Sequence, residues 1–123
     1  MASIQTELTD IALETALAVS GERIRYERET AAIVFDAIPG ASEWDEDMGG
    51  PAIVAAKSQD WIFRASNIAS LGKPEPGDLV KQETCDGETL VFTVMAPTGQ
   101  QPWRFSDRGR RWIRLHTKQT GTE

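Results

Sequence analysis

The side chains best suited to catalysis or metal binding are scarce in this chain. His116 is the only histidine and Cys85 the only cysteine, and neither lies in the Cys-x-x-Cys or His-x-x-x-His spacing typical of zinc sites. A Cys–His or Ser–His pair needs a nucleophile held beside the histidine, whereas Cys85 lies next to a predicted hairpin turn. We therefore expect no catalytic residue, no cofactor and no metal, with His116 a plain surface or edge-strand histidine.

The carboxylates offer a second possible chemistry. Asp45 with Asp47, or Asp36 with Glu43, could form a glycosidase pair, but such a pair must flank a cleft and one member needs a pKa raised by burial. The segment 43–47 also lacks the alternating spacing and closing Glu of a calcium loop. A solvated acidic loop that meets a partner is the better interpretation.

Charge is distributed unevenly along the 123 residues, whose net charge is −6. Residues 1–60 hold 12 acidic and 4 basic residues, and residues 61–123 hold 7 and 9. Such asymmetry can steer a protein toward a partner of opposite sign, although two oppositely charged solvated faces of one domain would give the same pattern. The candidate interface residues are an acidic segment and a basic segment, namely Glu43, Trp44, Asp45, Glu46 and Asp47 on one side and Arg104, Arg108, Arg110, Arg111 and Arg114 on the other.

The four tryptophans suggest different environments. Trp61, in an apolar strand pattern, is predicted in the core. Trp44, among carboxylates, has the composition of an exposed interface anchor. Trp103 and Trp112 fit either the core or cation–π stacking with Arg104 or Arg114. Arginines between aromatic residues could also bind single-stranded nucleic acid, but the negative net charge argues against strong general affinity for it.

Periodicity predicts a mainly β fold, a small antiparallel β-barrel or sandwich preceded by one α-helix. The helix is predicted at 4–20, and its core-facing stripe includes Ile11 and Val19. It is expected to end at Gly21 in a left-handed conformation. Leu13 and Leu17 lie off the stripe and could meet a neighbouring subunit. The barrel or sandwich is predicted at 22–118, with a strand at 52–57, a long loop at 41–51, and an Asp86-Gly87 type I′ hairpin turn. Residues 119–123 are expected to form a mobile polar tail, and 1–123 one domain.

Other broad features point to a protein folded in the cytoplasm. The first residues lack the basic start and apolar stretch of a signal peptide. The longest uncharged run, 89–103, is too short to span a membrane, so no membrane partner is expected.

The C-terminal half resembles the small head-tail joining proteins of tailed phages and prophages. The likeness covers about residues 56–118. It rests on the turn and strand Pro74-Glu75-Pro76-Gly77-Asp78-Leu79-Val80, the strand Phe92-Thr93-Val94, and the ending Pro102-Trp103-Arg104-Phe105-Ser106-Asp107 with Ile113-Arg114-Leu115-His116-Thr117-Lys118.

This resemblance implies a structural virion protein of the neck, as adaptor, stopper or tail-attachment subunit, and not an enzyme. It implies a homo-oligomeric ring, six- or twelve-fold, between the portal or adaptor and the tail-terminator protein, with DNA only as transiting cargo. The protein would be made in the host bacterial cytoplasm and end in the virion. The alternatives are another tail- or capsid-associated adaptor or a β-barrel protein-binding module, and an enzyme is third.

The charge pattern fits that expectation. A ring needs contacts between two different surfaces of one subunit, and the acidic and basic segments could supply them. We therefore hypothesise that these two segments meet between neighbouring subunits.

Overall fold

A computed structural model describes residues 4–40, 58–96 and 99–123. These residues form one N-terminal helix, seven strands and a short 3-10 helix, Ala65–Ile68. The helix and strands are α1 (Ile4–Ser20), β1 (Glu22–Arg28), β2 (Ala31–Gly40), β3 (Ser58–Arg64), β4 (Leu79–Glu83), β5 (Thr89–Val94), β6 (Trp103–Phe105) and β7 (Trp112–Thr122).

Six of the strands close into an antiparallel barrel. The order is β3-β2-β1-β4-β5-β7, and β7 pairs back onto β3 to complete the ring. The closing seam runs from the pair Ser58–Lys118 to the pair Arg64–Trp112. β6 pairs with the first part of β7, on the edge that β5 occupies further along the strand. The predicted fold class, a small antiparallel β-barrel after one helix, is confirmed.

The core fills the barrel with the inward side chains of alternate strand positions. Ile24 and Tyr26 of β1 are buried while Arg23 and Arg25 face outward, as a period of two predicts. Phe63 packs between Tyr26 and Phe35, with ring centroids 6.5 and 4.9 Å away. Trp61 is buried against the edge of Phe92, which confirms the prediction that it belongs to the core.

The helix presents a different face from the one predicted. Ile11 and Val19, on the predicted core stripe, are 59% and 79% exposed, whereas Leu13 and Leu17 are half-buried. α1 packs against β2, and the stripe prediction was wrong because apolar spacing alone does not say which side of a helix the barrel covers. Gly21 ends the helix without a positive φ, but a Cβ there would lie 2.3 Å from the Leu17 carbonyl oxygen.

Two further boundaries differ from expectation. Residues 119–123 are not a free tail, because β7 continues to Thr122 and the backbone of Glu123 bonds to that of Thr89. The β4–β5 connection is not a two-residue turn. The strands separate after the pair Glu83–Thr89, and Thr84 bridges the loop by bonding to Asp86 and Glu88. The loop predicted at 41–51 and the strand predicted at 52–57 lie outside the described residues.

Candidate interaction surface

A buried ion pair fixes the turn between the 3-10 helix and β4. Arg28, the last residue of β1, donates from Nη2 and Nε to the carboxylate of Asp78, at 2.8 and 3.0 Å. Tyr26 donates its hydroxyl proton to the same carboxylate, and the backbone N–H of Glu75 donates to it at 3.0 Å. Asp78 is therefore the hub that ties the proline-rich turn to β1.

The pKa values of this cluster show how strongly its members depend on one another. Burial alone would raise the pKa of Asp78, but the hydrogen bonds from Arg28, Tyr26 and the Glu75 amide hold that pKa below its usual value. Burial, followed by the hydrogen bond to Asp78, raises the pKa of Tyr26. The pKa of Arg28 is raised chiefly by its hydrogen bonds to Asp78. The cluster is thus an ionised carboxylate and guanidinium with a neutral phenol.

The same arginine positions Lys73. Arg28 donates from Nη1 to the carbonyl of Leu71 at 2.7 Å and from Nη2 to the carbonyl of Lys73 at 2.6 Å. The turn is thereby held so that Lys73 Nζ lies 5.3 Å from the ring centroid of Trp103 and 4.8 Å from that of Phe105. The two rings meet edge to face at 5.1 Å. An ammonium within about 6 Å of an aromatic face is a cation–π contact.

The turn after β6 adds a second cation to these rings. Asp107 Oδ1 accepts the backbone N–H groups of Arg111 and Trp112, both at 3.0 Å, which fixes the path of residues 107–112. Within it, Arg110 has a φ of +57°, a left-handed conformation that is uncommon for any residue except glycine. Its guanidinium carbon lies 5.9 Å from the ring centroid of Phe105.

We name Lys73, Trp103, Phe105 and Arg110, together with Arg108 of the same exposed turn, the cation–aromatic surface. Its two rings are partly buried against the core, and its three cationic residues are exposed. Among the residues that the structure describes, Lys73, Arg108 and Arg110 form no ion pair. The surface therefore carries positive charge that no described carboxylate neutralises.

The structure divides the basic segment predicted from the sequence. Arg108 and Arg110 belong to the cation–aromatic surface, and Arg104 is exposed on the adjacent strand β6. Arg111 faces Asp10 of α1 at 3.5 Å. Arg114 is turned to the buried carboxylate of Asp60, to which its Nε donates at 2.7 Å. The five arginines are thus not one patch.

Asp60 also holds the only histidine. His116 Nδ1 lies 2.9 Å from Asp60 Oδ1, and the two residues are 1% and 0% exposed. Gln59, beside them, bonds through its side chain to the carbonyl of Gly40 at 2.9 Å. The prediction of a surface histidine was wrong, because a strand residue on the outer face can be buried when a buried carboxylate on the neighbouring strand pairs with it. The cluster joins β2, β3 and β7 at one end of the barrel.

Trp112 attaches the helix to the barrel. Its indole Nε1–H donates to Asp10 at 2.6 Å, and the guanidinium of Arg64 lies over its ring at 5.0 Å. Arg64 in turn forms an ion pair with Glu14 of α1. Trp112 therefore belongs to the core and to a cation–π contact at once, but its cation comes from β3 and not from the two arginines considered from the sequence.

The acidic segment Glu43–Asp47 lies outside the described residues, although the strands on either side of it are placed. β2 ends at Gly40 and β3 begins at Ser58, which pairs with Lys118. The Ser106–Arg111 turn precedes Trp112, at the other end of the closing seam. At about 3.3 Å per strand residue, roughly 20 Å of barrel separates the two ends.

Sequence reasoning missed both buried ion clusters. A signal was present for each. Asp60 is a charged residue inside an apolar strand, and such residues are rarely buried without a partner. For Asp78, the signal is a carboxylate between a turn glycine and a strand, since Gly77 has a φ of +93° and β4 begins at the next residue, Leu79. What the sequence could not supply were the partners Arg28 and Arg114, since each lies about 50 residues from its carboxylate.

Two searches of the described residues gave negative results. They contain no group of three or more His, Cys, Asp or Glu side chains arranged to hold a metal ion. No helix among them is both long and apolar enough to cross a membrane.

Comparison with known proteins gave one match. The family model described as phage head-tail joining protein matches residues 2–123. The searches of curated proteins and of solved structures gave no match.

Proposed function

We propose that this chain, which belongs to the phage head-tail joining protein family, is a ring-forming subunit of the neck of a tailed phage or prophage. Family membership supports a structural role at the junction of head and tail. The observation that carries this conclusion is the extent of the family match, from residue 2 to residue 123. A structural role, rather than an enzymatic one, forms part of the proposal.

The finer part of the proposal concerns assembly and partners. The subunits would form a ring, six- or twelve-fold, with the portal or adaptor protein above and the tail-terminator protein below. DNA would pass through as cargo. The protein would be made in the host bacterial cytoplasm and packaged in the virion neck, as adaptor, stopper or tail-attachment layer.

Features of the fold support such a subunit. A closed barrel leaves few unpaired strand edges, so contacts with neighbours must come from side chains and loops. A ring subunit needs two different surfaces that recognise each other. The cation–aromatic surface and the acidic segment, which belongs to the chain between β2 and β3, are consistent with that requirement.

The test is to remove the protein from phage particles. We expect a phage with an early stop codon in this gene to accumulate filled or emptied heads and separate tails, seen by negative-stain electron microscopy. Expression of the chain from a plasmid should restore joined particles. Reconstruction of those particles should place the chain as a ring between portal and tail.

Two outcomes would contradict the proposal. Normally joined particles without the protein would exclude a joining role. Density on the capsid surface or along the tail would favour the second candidate, an adaptor elsewhere on the particle.

A further inference from the structure

We propose that the cation–aromatic surface is the docking site for the acidic segment of a second copy of this chain, Glu43-Trp44-Asp45-Glu46-Asp47. The inference rests on the proposed ring and names the two surfaces that would meet in it. The docking site itself consists of described residues only: Lys73, Trp103, Phe105, Arg108 and Arg110.

The cation–aromatic surface carries charge that no described carboxylate neutralises, on side chains whose backbone is held by the fold. The ammonium of Lys73 is held over two aromatic rings, and that position is set from below by the buried Arg28–Asp78 pair. Lys73, Arg108 and Arg110 form no ion pair with any described carboxylate. A surface with three cations and two partly exposed aromatic side chains suits a ligand that offers carboxylates together with an aromatic side chain.

The backbone of Arg110 lies in the left-handed region, with a φ of +57°. A non-glycine residue in the left-handed region costs free energy, of order 1 kcal/mol or more. A glycine at position 110 would not have that cost. The glycine of this turn is instead Gly109, one residue earlier, and position 110 is an arginine. The arginine brings its guanidinium to the face of Phe105. We infer that the positive charge at this position takes part in binding a ligand.

The acidic segment of a second copy has the chemistry that this surface would recognise. The acidic segment places four carboxylates around Trp44 within five residues, and it matches the surface in both charge and aromatic character. In the sequence it belongs to the chain between the end of β2 and the start of β3, whereas the cation–aromatic surface lies beside the first part of β7. Head-to-tail contact between copies requires two unlike surfaces on one subunit, and the acidic segment and the cation–aromatic surface are such a pair.

The experiment uses carbodiimide, which joins a carboxylate to an amine without a spacer, on the full chain. Equal amounts of ¹⁵N-labelled and unlabelled chain are mixed, treated and digested. Mass spectrometry then shows whether Lys73 is linked to the acidic segment and whether both halves carry the same label. Links between Lys81 and Glu27 or Glu123, which are ion-paired within one chain at 3.1 and 2.7 Å, provide the same-label control.

The wild-type chain should give mixed-label links between Lys73 and residues 43–47, and their yield should fall as salt screens the contact. Two single-surface variants test charge recognition: Arg108→Glu with Arg110→Glu, and Asp45→Arg with Asp47→Arg. Each alone should lose about tenfold or more in mixed-label yield. The first variant sets carboxylates against the acidic segment, and the second removes the net negative charge of the segment and sets two arginines against the cations of the surface. A mixture of the two variants should regain yield, since the unaltered acidic segment of one variant can then meet the unaltered cationic surface of the other.

The mixture separates contact between copies from contact within one chain. If the segment docked on its own chain, mixing would restore nothing, while a chain carrying all four reversals would recover same-label links. Same-label links only, no Lys73 links, or no recovery in the mixture would each overturn the proposal. The role in the neck is tested separately, by electron microscopy of phage particles. A ring in the neck of joined particles without these cross-links would contradict the docking contact but not the neck role.

Arg110→Gly is the matched folding control. It removes one cation of the surface and also the free-energy cost of a non-glycine residue at positive φ. We therefore expect an unchanged or higher melting temperature together with a reduced yield of mixed-label links. Arg108→Gly removes the same charge at a residue without a positive φ. It should reduce the yield and lower the melting temperature slightly, because the unfolded chain gains freedom. Full mixed-label yield from the Arg110→Gly chain would contradict a role for the Arg110 charge.

Discussion

At the scale of single residues, the carboxylate of Asp78 organises more of the structure than its place in a polar turn suggests. It accepts hydrogen bonds from Arg28, from Tyr26 and from the amide of Glu75. Through Arg28 it also fixes the backbone carbonyls of Leu71 and Lys73. A single buried carboxylate thereby determines where a surface lysine points.

Replacement of Asp78 by Asn should destabilise the fold strongly near neutral pH. The change leaves the part-buried Arg28 with only the exposed carboxylate of Glu75, 3.1 Å from its Nη1, as counter-charge. We expect this to cost on the order of 3 kcal/mol and to lower the melting temperature by about 10 °C. The measurement is thermal unfolding followed by circular dichroism. Asp36→Asn is the control, because Asp36 pairs with Arg23 in an exposed ion pair and such pairs contribute less than about 1 kcal/mol. Equal losses in both variants would contradict the role of Asp78.

The same pair predicts the direction of a pH dependence. The pKa of Asp78 is lowered in the folded protein, so its stabilisation is fully present above the unfolded-state carboxyl pKa of about 3.9. It is lost as the pH falls through the lower folded-state pKa. The stability gap between wild type and Asp78→Asn should therefore stay constant at neutral pH and narrow in acid. A gap that widens below about pH 4 would contradict this assignment.

At the scale of elements, α1 is attached to the barrel by polar contacts as much as by apolar ones. Asp10 accepts the Trp112 indole N–H, and Glu14 pairs with Arg64. These contacts turn the side of the helix that carries Ile11 and Val19 away from the barrel. The orientation of the helix is therefore set by partners 50 and 102 residues along the chain, which its own periodicity does not encode.

The exposed side of α1 should tolerate polar substitution better than the side that faces the barrel. Val19→Ser should change the free energy of unfolding by less than about 0.5 kcal/mol, since the side chain is already in water. Leu17→Ser, a matched change at a half-buried position, should lower it by about 1 kcal/mol or more. Urea denaturation of both variants measures the difference. If Val19→Ser were the more damaging change, the core stripe predicted from the sequence would be correct.

At the scale of the whole molecule, β7 is the strand that closes the barrel. It pairs with β3 along one edge, and with β6 and then β5 along the other. It also carries residues of two buried clusters, since Trp112 contacts the helix and His116 contacts Asp60. Opening the barrel at β7 would break both edges at once.

Hydrogen exchange should follow this topology. We expect backbone amides of Ile113–Thr117 to exchange most slowly, near the rate set by global unfolding, because both edges of the strand are paired. Amides of α1 should exchange sooner, since the helix lies outside the barrel and can detach while the barrel stays closed. Exchange measured by mass spectrometry on peptides from the two regions tests this. Equal protection of α1 and β7 would show that they unfold together.

The sequence alone determined the class of the fold and much of its core. Period-two alternation marked β1, β2, β5 and β7, and it placed Trp61 inside, because side-chain direction along a strand is a local property. The charge asymmetry and the residues of the cation–aromatic surface, apart from Lys73, were also visible as composition. Only the tertiary structure decided which charges are free and which are buried. In the sequence, nothing distinguishes Arg28 and Arg114 from Arg108 and Arg110. In the structure, however, Arg28 and Arg114 pair with carboxylates about 50 residues away. Such distant pairs depend on how the barrel closes.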